Sequence, residues 1–137
     1  MEVPVIPPVE VEAQTVPGAE GVARARSLEV TVSEPPEVGG TGRGFTPLEL
    51  FLLGLASCEV SMFRMIANRM GVQYGRVTVR VRGVFEIGVG LKEVAIRYVV
   101  EGAGPGVDRV VENVRKMCPV YNTLRRAGVV IREEIQG

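Results

Sequence analysis

Three stretches of the chain alternate apolar and polar residues with a period of two, and one long stretch between them does not. Leu28, Val30 and Val32 alternate with Glu29, Thr31 and Ser33. Val77, Val79, Val81, Phe85 and Ile87 alternate with Arg76, Thr78, Arg80, Arg82 and Glu86, and Val94, Ile96, Tyr98 and Val100 alternate with Glu93, Ala95, Arg97 and Val99. Period two predicts strands with one inward face, and the Gly88-Val89-Gly90 link predicts that the last two form an antiparallel hairpin. Upstream, Pro4, Pro7 and Pro8 mark residues 1–8 as an extended arm, 9–15 read as a strand, and Pro17-Gly18 as a turn. The stretch 22–32 reads as a single strand, closed by Glu34-Pro35-Pro36. Downstream, Val107, Val110, Val111 and Val114 share one face of a helix over 106–117. Cys118-Pro119 interrupts it, a short helix continues to about Ala127, Gly128 ends that, and 129–135 is a last strand. Strands, long helix, hairpin, helices, strand: the order predicts an α+β protein, one domain over 1–137.

The stretch without alternation is a helix from Pro47 to Met70. Thr46 is a good N-cap, Pro47 suits the first helical position, Glu49 completes a capping box, and Gly71 is a natural stop. From Leu50 to Ile66 it is apolar on nearly every side. A short chain has too few layers to cover such a helix all round, so the pattern predicts a second copy that buries the remainder, a C₂ homodimer.

Composition narrows the chemistry. Of 137 residues 46% are hydrophobic, and 16 Lys plus Arg balance 16 Asp plus Glu, so the formal net charge is zero. Such a chain has no overall field to hold nucleic acid or an anionic membrane. There is no His, which removes Ser-His-Asp and Cys-His catalysis and His-ligated metals, and two Cys cannot build a Cys₄ zinc site. The run Gly39-Gly40-Thr41-Gly42-Arg43-Gly44 is a flexible loop without the Lys-Ser/Thr of a phosphate-binding loop. The N-terminal residues lack a basic start and an apolar run, and the helix, broken by Glu59 and Arg64, falls short of the ~20 apolar residues of a membrane span. A cytoplasmic location follows as the expectation, where two cysteines are free or redox-active more often than structural.

Cys58 lies mid-helix, one turn from Gly54, Leu55, Ser61 and Met62, the setting of an inert, buried thiol. Cys118 starts a helix at Pro119, close in sequence to Arg115 and Lys116, and each feature favours thiolate. Local chemistry therefore makes Cys118 the more acidic thiol. Whether the two sulfurs meet is open at this level.

The segment Thr46-Pro47-Leu48-Glu49-Leu50-Phe51-Leu52-Leu53-Gly54-Leu55-Ala56-Ser57-Cys58 resembles the central helix of the OsmC/Ohr family, the osmotically induced and organic hydroperoxide resistance proteins. Lys116-Met117-Cys118-Pro119-Val120 resembles that family's second cysteine motif, and Glu34-Pro35-Pro36-Glu37-Val38-Gly39-Gly40 its loop before the helix. The resemblance spans about Val22 to Ile135 and implies an intertwined homodimer whose antiparallel sheets wrap the long central helices. It implies a thiol peroxidase reducing organic hydroperoxides or hydrogen peroxide. Cys58 would attack the peroxide, Cys118 would resolve the sulfenic acid as a disulfide, and an external dithiol, of dihydrolipoyl type, would restore both. No cofactor is implied.

The implied attacker needs a guanidinium to hold its thiolate, and Arg24, Arg26 and Arg43 lie upstream, Arg26 being the preferred candidate. The peroxide-reducing branches carry a Glu directly after the helix-starting Pro; here that position is Leu48 and the acid is Glu49, as in another branch of the family. Glu49 is the candidate carboxylate of the site. On a straight helix, however, nine residues put it on the face opposite Cys58, about 13 Å along the axis, which suits a cap. Glu59 departs from the aromatic common in peroxidase branches; beside Cys58 it would oppose the thiolate, although its side chain leaves the helix about 100° away. Phe51, Met62 and Met65 share the Cys58 side as core or as the lining for an alkyl group. The missing Glu after Pro47 keeps an alternative open, a binding module of the same fold for a small apolar or thiol-bearing ligand.

Overall fold

The computed structural model describes residues 5–18 and 20–137. Of the expected arm, residues 1–4 lie outside the described residues and 5–8 are exposed without regular structure. The chain divides into two compact units, Met1–Leu50 and Phe51–Gly137.

In the first unit, β1 (Glu12–Thr15), β2 (Glu20–Ala25) and β3 (Leu28–Ser33) form an antiparallel meander in the order β1-β2-β3. The single strand expected over 22–32 is instead a hairpin, with Ala25 paired to Leu28 across Arg26-Ser27. No Gly or Pro marks that turn, and Arg26 takes its positive φ of 58° itself, a conformation uncommon outside Gly, Asn and Asp. The glycine run is not the loose loop expected. Gly40 and Gly42 donate to the carbonyls of Pro35 and Glu34, and Phe45 donates to Thr31. A Cβ on Gly40 would stand 1.8 Å from the Glu34 carbonyl oxygen and one on Gly44 2.3 Å from that of Thr31, so glycine is required at both. The Ser33 hydroxyl accepts from the Gly44 amide at 2.8 Å. Ser33 is the one buried residue of this unit among those described.

Helix α1 (Pro47–Met70) begins as its caps require. The Thr46 amide donates to the Glu49 carboxylate at 2.8 Å and the Glu49 amide to the Thr46 hydroxyl at 3.1 Å, a closed capping box. In the second unit β4 (Arg76–Glu86) and β5 (Gly90–Glu101) pair antiparallel, as the hairpin reading predicts. Helices α2 (Val107–Met117) and α3 (Pro119–Arg126) then carry the chain back so that β6 (Val130–Gln136) joins β5 in parallel, the crossover that parallel pairing requires. This sheet is therefore mixed, in the order β4-β5-β6.

The core lies in this unit. Val94, Ile96, Tyr98 and Val100 of β5 meet Val110, Val111 and Val114 of α2 and Leu55, Phe63 and Ala67 of α1, all at most 1% exposed. Each of the Val, Leu, Ile and Phe side chains among them contributes roughly 1.5–3 kcal/mol by leaving water. Contrary to the expectation that it falls short of a span, helix α1 is long and apolar enough to cross a membrane by length and composition; it gives the core one stripe, Leu55, Glu59, Phe63 and Ala67. Its spacing of four is a helix face. In the single chain Phe51, Leu53, Val60 and Met65 remain 37–48% exposed, so burial does not extend all round.

Candidate active site

The two cysteines meet. Cys118 ends α2, its amide donating to the Val114 carbonyl, and it also caps α3. Pro119 cannot continue the α2 ladder but suits the first position of a new helix, so the chain bends there and Cys118 is fully buried at the bend. Cys58, half-buried on α1, faces it, and the two sulfurs stand 2.8 Å apart with both thiols free. Sixty positions of sequence separate them, and only the packing of α1 against the α2–α3 junction unites them.

The hydrogen bond orders their acidity. Cys118 donates to Cys58, which with the Val120 amide outweighs burial and holds Cys58 down at about 6. The same bond, then burial, pushes Cys118 well above the usual thiol range, although the Tyr121 amide favours its thiolate. This reverses the local reading, in which Cys118 was the acidic thiol. Arg115 does not serve it, because its guanidinium is bound to Glu133 at 2.7 Å, and Lys116 is exposed.

A buried polar cluster adjoins the thiols, and sequence reasoning did not assemble it. Glu59 is fully buried and its Oε2 accepts from the Tyr98 hydroxyl. Burial first, then the nearby charges of Glu133 and Cys58, push Glu59 up to about 7 against the lowering effect of Tyr98 and Arg115. Glu133 accepts from Arg115 and, at 2.9 Å, from Tyr121. Burial and Glu59 raise Tyr98, which keeps its proton. A signal for Tyr98 existed: it sits on the inward face of β5 with Val94, Ile96 and Val100, and a buried phenol needs a partner. Glu59 is one position from Cys58, but nothing local says that its side of an apolar helix is the core side.

Arg24 is bound to Glu29 at 2.8 Å and Arg43 lies 3.9 Å from Glu20. Arg26 is exposed at the β2–β3 turn. All three belong to the Met1–Leu50 unit and both thiols to the other. Glu49 is engaged with Thr46. Met62 packs on the core, whereas Phe51 and Met65 are exposed by 48% and 44%.

The neutral alkylation of the reduced protein tests the order of acidity. The faster thiol is expected to be Cys58, its rate rising through about pH 6. Replacing Cys118 by Ala removes the donor, and the midpoint should move up by about one pH unit or more. An unmoved midpoint would show that Cys118 does not set the acidity of Cys58.

An α+β chain in which a core helix and a helix junction bring two free thiols together defines a dithiol protein of OsmC-like fold. The model of the family described as OsmC-like protein matches residues 40–134, and the chain belongs to that family. A Mycoplasma pneumoniae protein named hydroperoxide reductase is 25% identical over 105 residues, 72% of this chain and 73% of that one. The crystal structure of an OsmC-like protein from Mycoplasma pneumoniae superposes with a TM-score of 0.83 at 19% identity, over 97% of this chain and 100% of the other. An organic hydroperoxide resistance protein OsmC from Legionella pneumophila does so with a TM-score of 0.76 at 24% identity, over 98% and 100%. At these identities the two structures establish the fold.

Proposed function

We propose that the chain is a thiol-dependent peroxidase acting on organic hydroperoxides or hydrogen peroxide. The Cys58 thiolate attacks one peroxide oxygen and the O–O bond breaks. The departing alkoxide takes a proton and leaves as alcohol, and Cys58 becomes a sulfenic acid. Cys118 then attacks the Cys58 sulfur, the S–O bond breaks, and water leaves as the disulfide forms. An external dithiol returns both thiols, and a cytosolic, reducing setting suits that last step.

The observation that carries the reading is the sulfur pair at 2.8 Å with Cys58 as acceptor. An acidic thiolate beside a buried, protonated partner is the pairing of attacker and resolver. The relative named hydroperoxide reductase supports a peroxide as oxidant. The resemblance implies an arginine that orients the peroxide, for which Arg26 is the preferred candidate among Arg24, Arg26 and Arg43, and Glu49 serves the helix as its cap. The whole chain acts as one OsmC-like domain and pairs with a second copy. The exposed apolar positions of α1, and a first unit with only Ser33 buried among its described residues, support the dimer. Sedimentation should then give twice 14.8 kDa.

Reduced protein mixed with a slight excess of cumene hydroperoxide is expected to lose two thiols per chain as the peroxide disappears. Two persisting thiols with the peroxide intact would refute the reading.

A further inference from the structure

Glu59 takes no part in the steps above, yet it is the one buried carboxylate among the described residues. Its Oε2 is engaged by Tyr98, while its Oε1 has no hydrogen-bond partner among the described residues. A buried oxygen left without a partner is costly, and packing alone does not explain it. The groups whose charge bears on it come from every element around it: Cys58 on α1, Tyr98 on β5, Arg115 on α2, Cys118 at the junction, Tyr121 on α3 and Glu133 on β6. Glu133 is occupied by Arg115 and Tyr121. Arg115 does not titrate, and both tyrosines are pushed up and hold their protons. Closing the disulfide requires the buried Cys118 thiol to shed a proton, and the chain has no His to accept it.

We propose that Glu59 is the internal proton carrier of the dithiol, taking the Cys118 proton as the disulfide closes and yielding it to the departing oxygen. The Cys118 sulfur supplies the electron pair of the new S–S bond, and the S–O pair leaves as hydroxide. Glu59 becomes neutral, then protonates the hydroxide to water and is carboxylate again. The Cys118 sulfur is oxidised, and the Cys58 sulfur is reduced from sulfenic acid to disulfide. A carboxyl held near neutrality suits a group that must both take and return a proton.

The oxidant in this scheme rests on the peroxidase reading, but the closing step does not, and the experiment separates them. Reduced wild type and Glu59→Gln are oxidised with one equivalent of cumene hydroperoxide between about pH 5 and 9. Dimedone captures the sulfenic acid, and thiol loss follows closure. Wild-type closure should rise through an inflection near neutrality. Glu59→Gln should lose the inflection, close about 10-fold or more slowly at alkaline pH and accumulate the dimedone adduct. The first oxidation of Cys58 is followed separately, as peroxide consumed per chain. Tyr98→Phe keeps the carboxyl but removes a donor that lowers it, so its inflection should move to higher pH. Equal closure with equal pH dependence in wild type and Glu59→Gln would overturn the proposal, as would an unmoved inflection in Tyr98→Phe. A second arm uses oxidised glutathione, where Cys118 closes against a Cys58 mixed disulfide and must shed the same proton. Glu59-dependent closure there, with peroxide ignored by the wild type, would end the peroxidase reading and leave the carrier in place.

Discussion

Replacing Cys58 with serine is expected to abolish peroxide consumption, a loss on the order of 10³-fold or more. A serine hydroxyl has no anionic form near neutral pH and no sulfur to oxidise, and the chain has no His to activate it. Cys118→Ser should behave differently. The first oxidation of Cys58 survives, because the hydroxyl can still donate to the thiolate, but no resolver remains. The first equivalent of peroxide per chain leaves a sulfenic acid, and excess peroxide carries it to the sulfinic state at the cost of a second. Peroxide consumption with intact-mass measurement distinguishes the two variants. Sustained turnover by Cys58→Ser would assign the attack to Cys118, the order that local chemistry alone suggested.

Stability should fall as pH rises through the range of Glu59. Its carboxyl stands at about 7 in the folded chain against an ordinary 4.5, so the folded state binds more protons between those values. The stabilisation is complete below the lower value and is lost as pH rises through the upper one, about 3 kcal/mol in all. Cys58 works in the opposite sense. Lowered from 9.0 to about 6, it contributes stability that is present above the higher value and lost as pH falls through the lower. The Glu59 effect is therefore best read in a Cys58→Ser background, by urea unfolding at pH 4.5 and 8 with and without Glu59→Gln. The carboxyl-bearing chain should lose about 2–3 kcal/mol more across that interval, the Cys58 charge that adds to the shift being absent. Parallel pH profiles would mean that Glu59 is not protonated in the fold.

Most elements were legible because their signals are local. Thr46, Pro47, Glu49 and Gly71 bound α1 where Pro47–Met70 is found, and alternation with Gly88-Val89-Gly90 marks the β4–β5 hairpin. The β2–β3 turn was not legible, since Arg26-Ser27 carries none of the residues that usually supply a positive φ. The parallel seat of β6 was not legible either, because alternation identifies a strand and not its neighbour.

The site divides along the same boundary. By itself the amino-acid order determined a capped apolar helix bearing Cys58, a proline bend bearing Cys118, and a chain without His, because caps, periods and composition act within a few residues. Only the tertiary structure decided that Leu55, Glu59, Phe63 and Ala67 form the inward stripe, and that the sulfurs meet at 2.8 Å with Cys118 donating. A helix apolar on every side has no preferred face until another element covers one. A thiol's acidity follows the groups that folding brings to it more than those beside it in the chain.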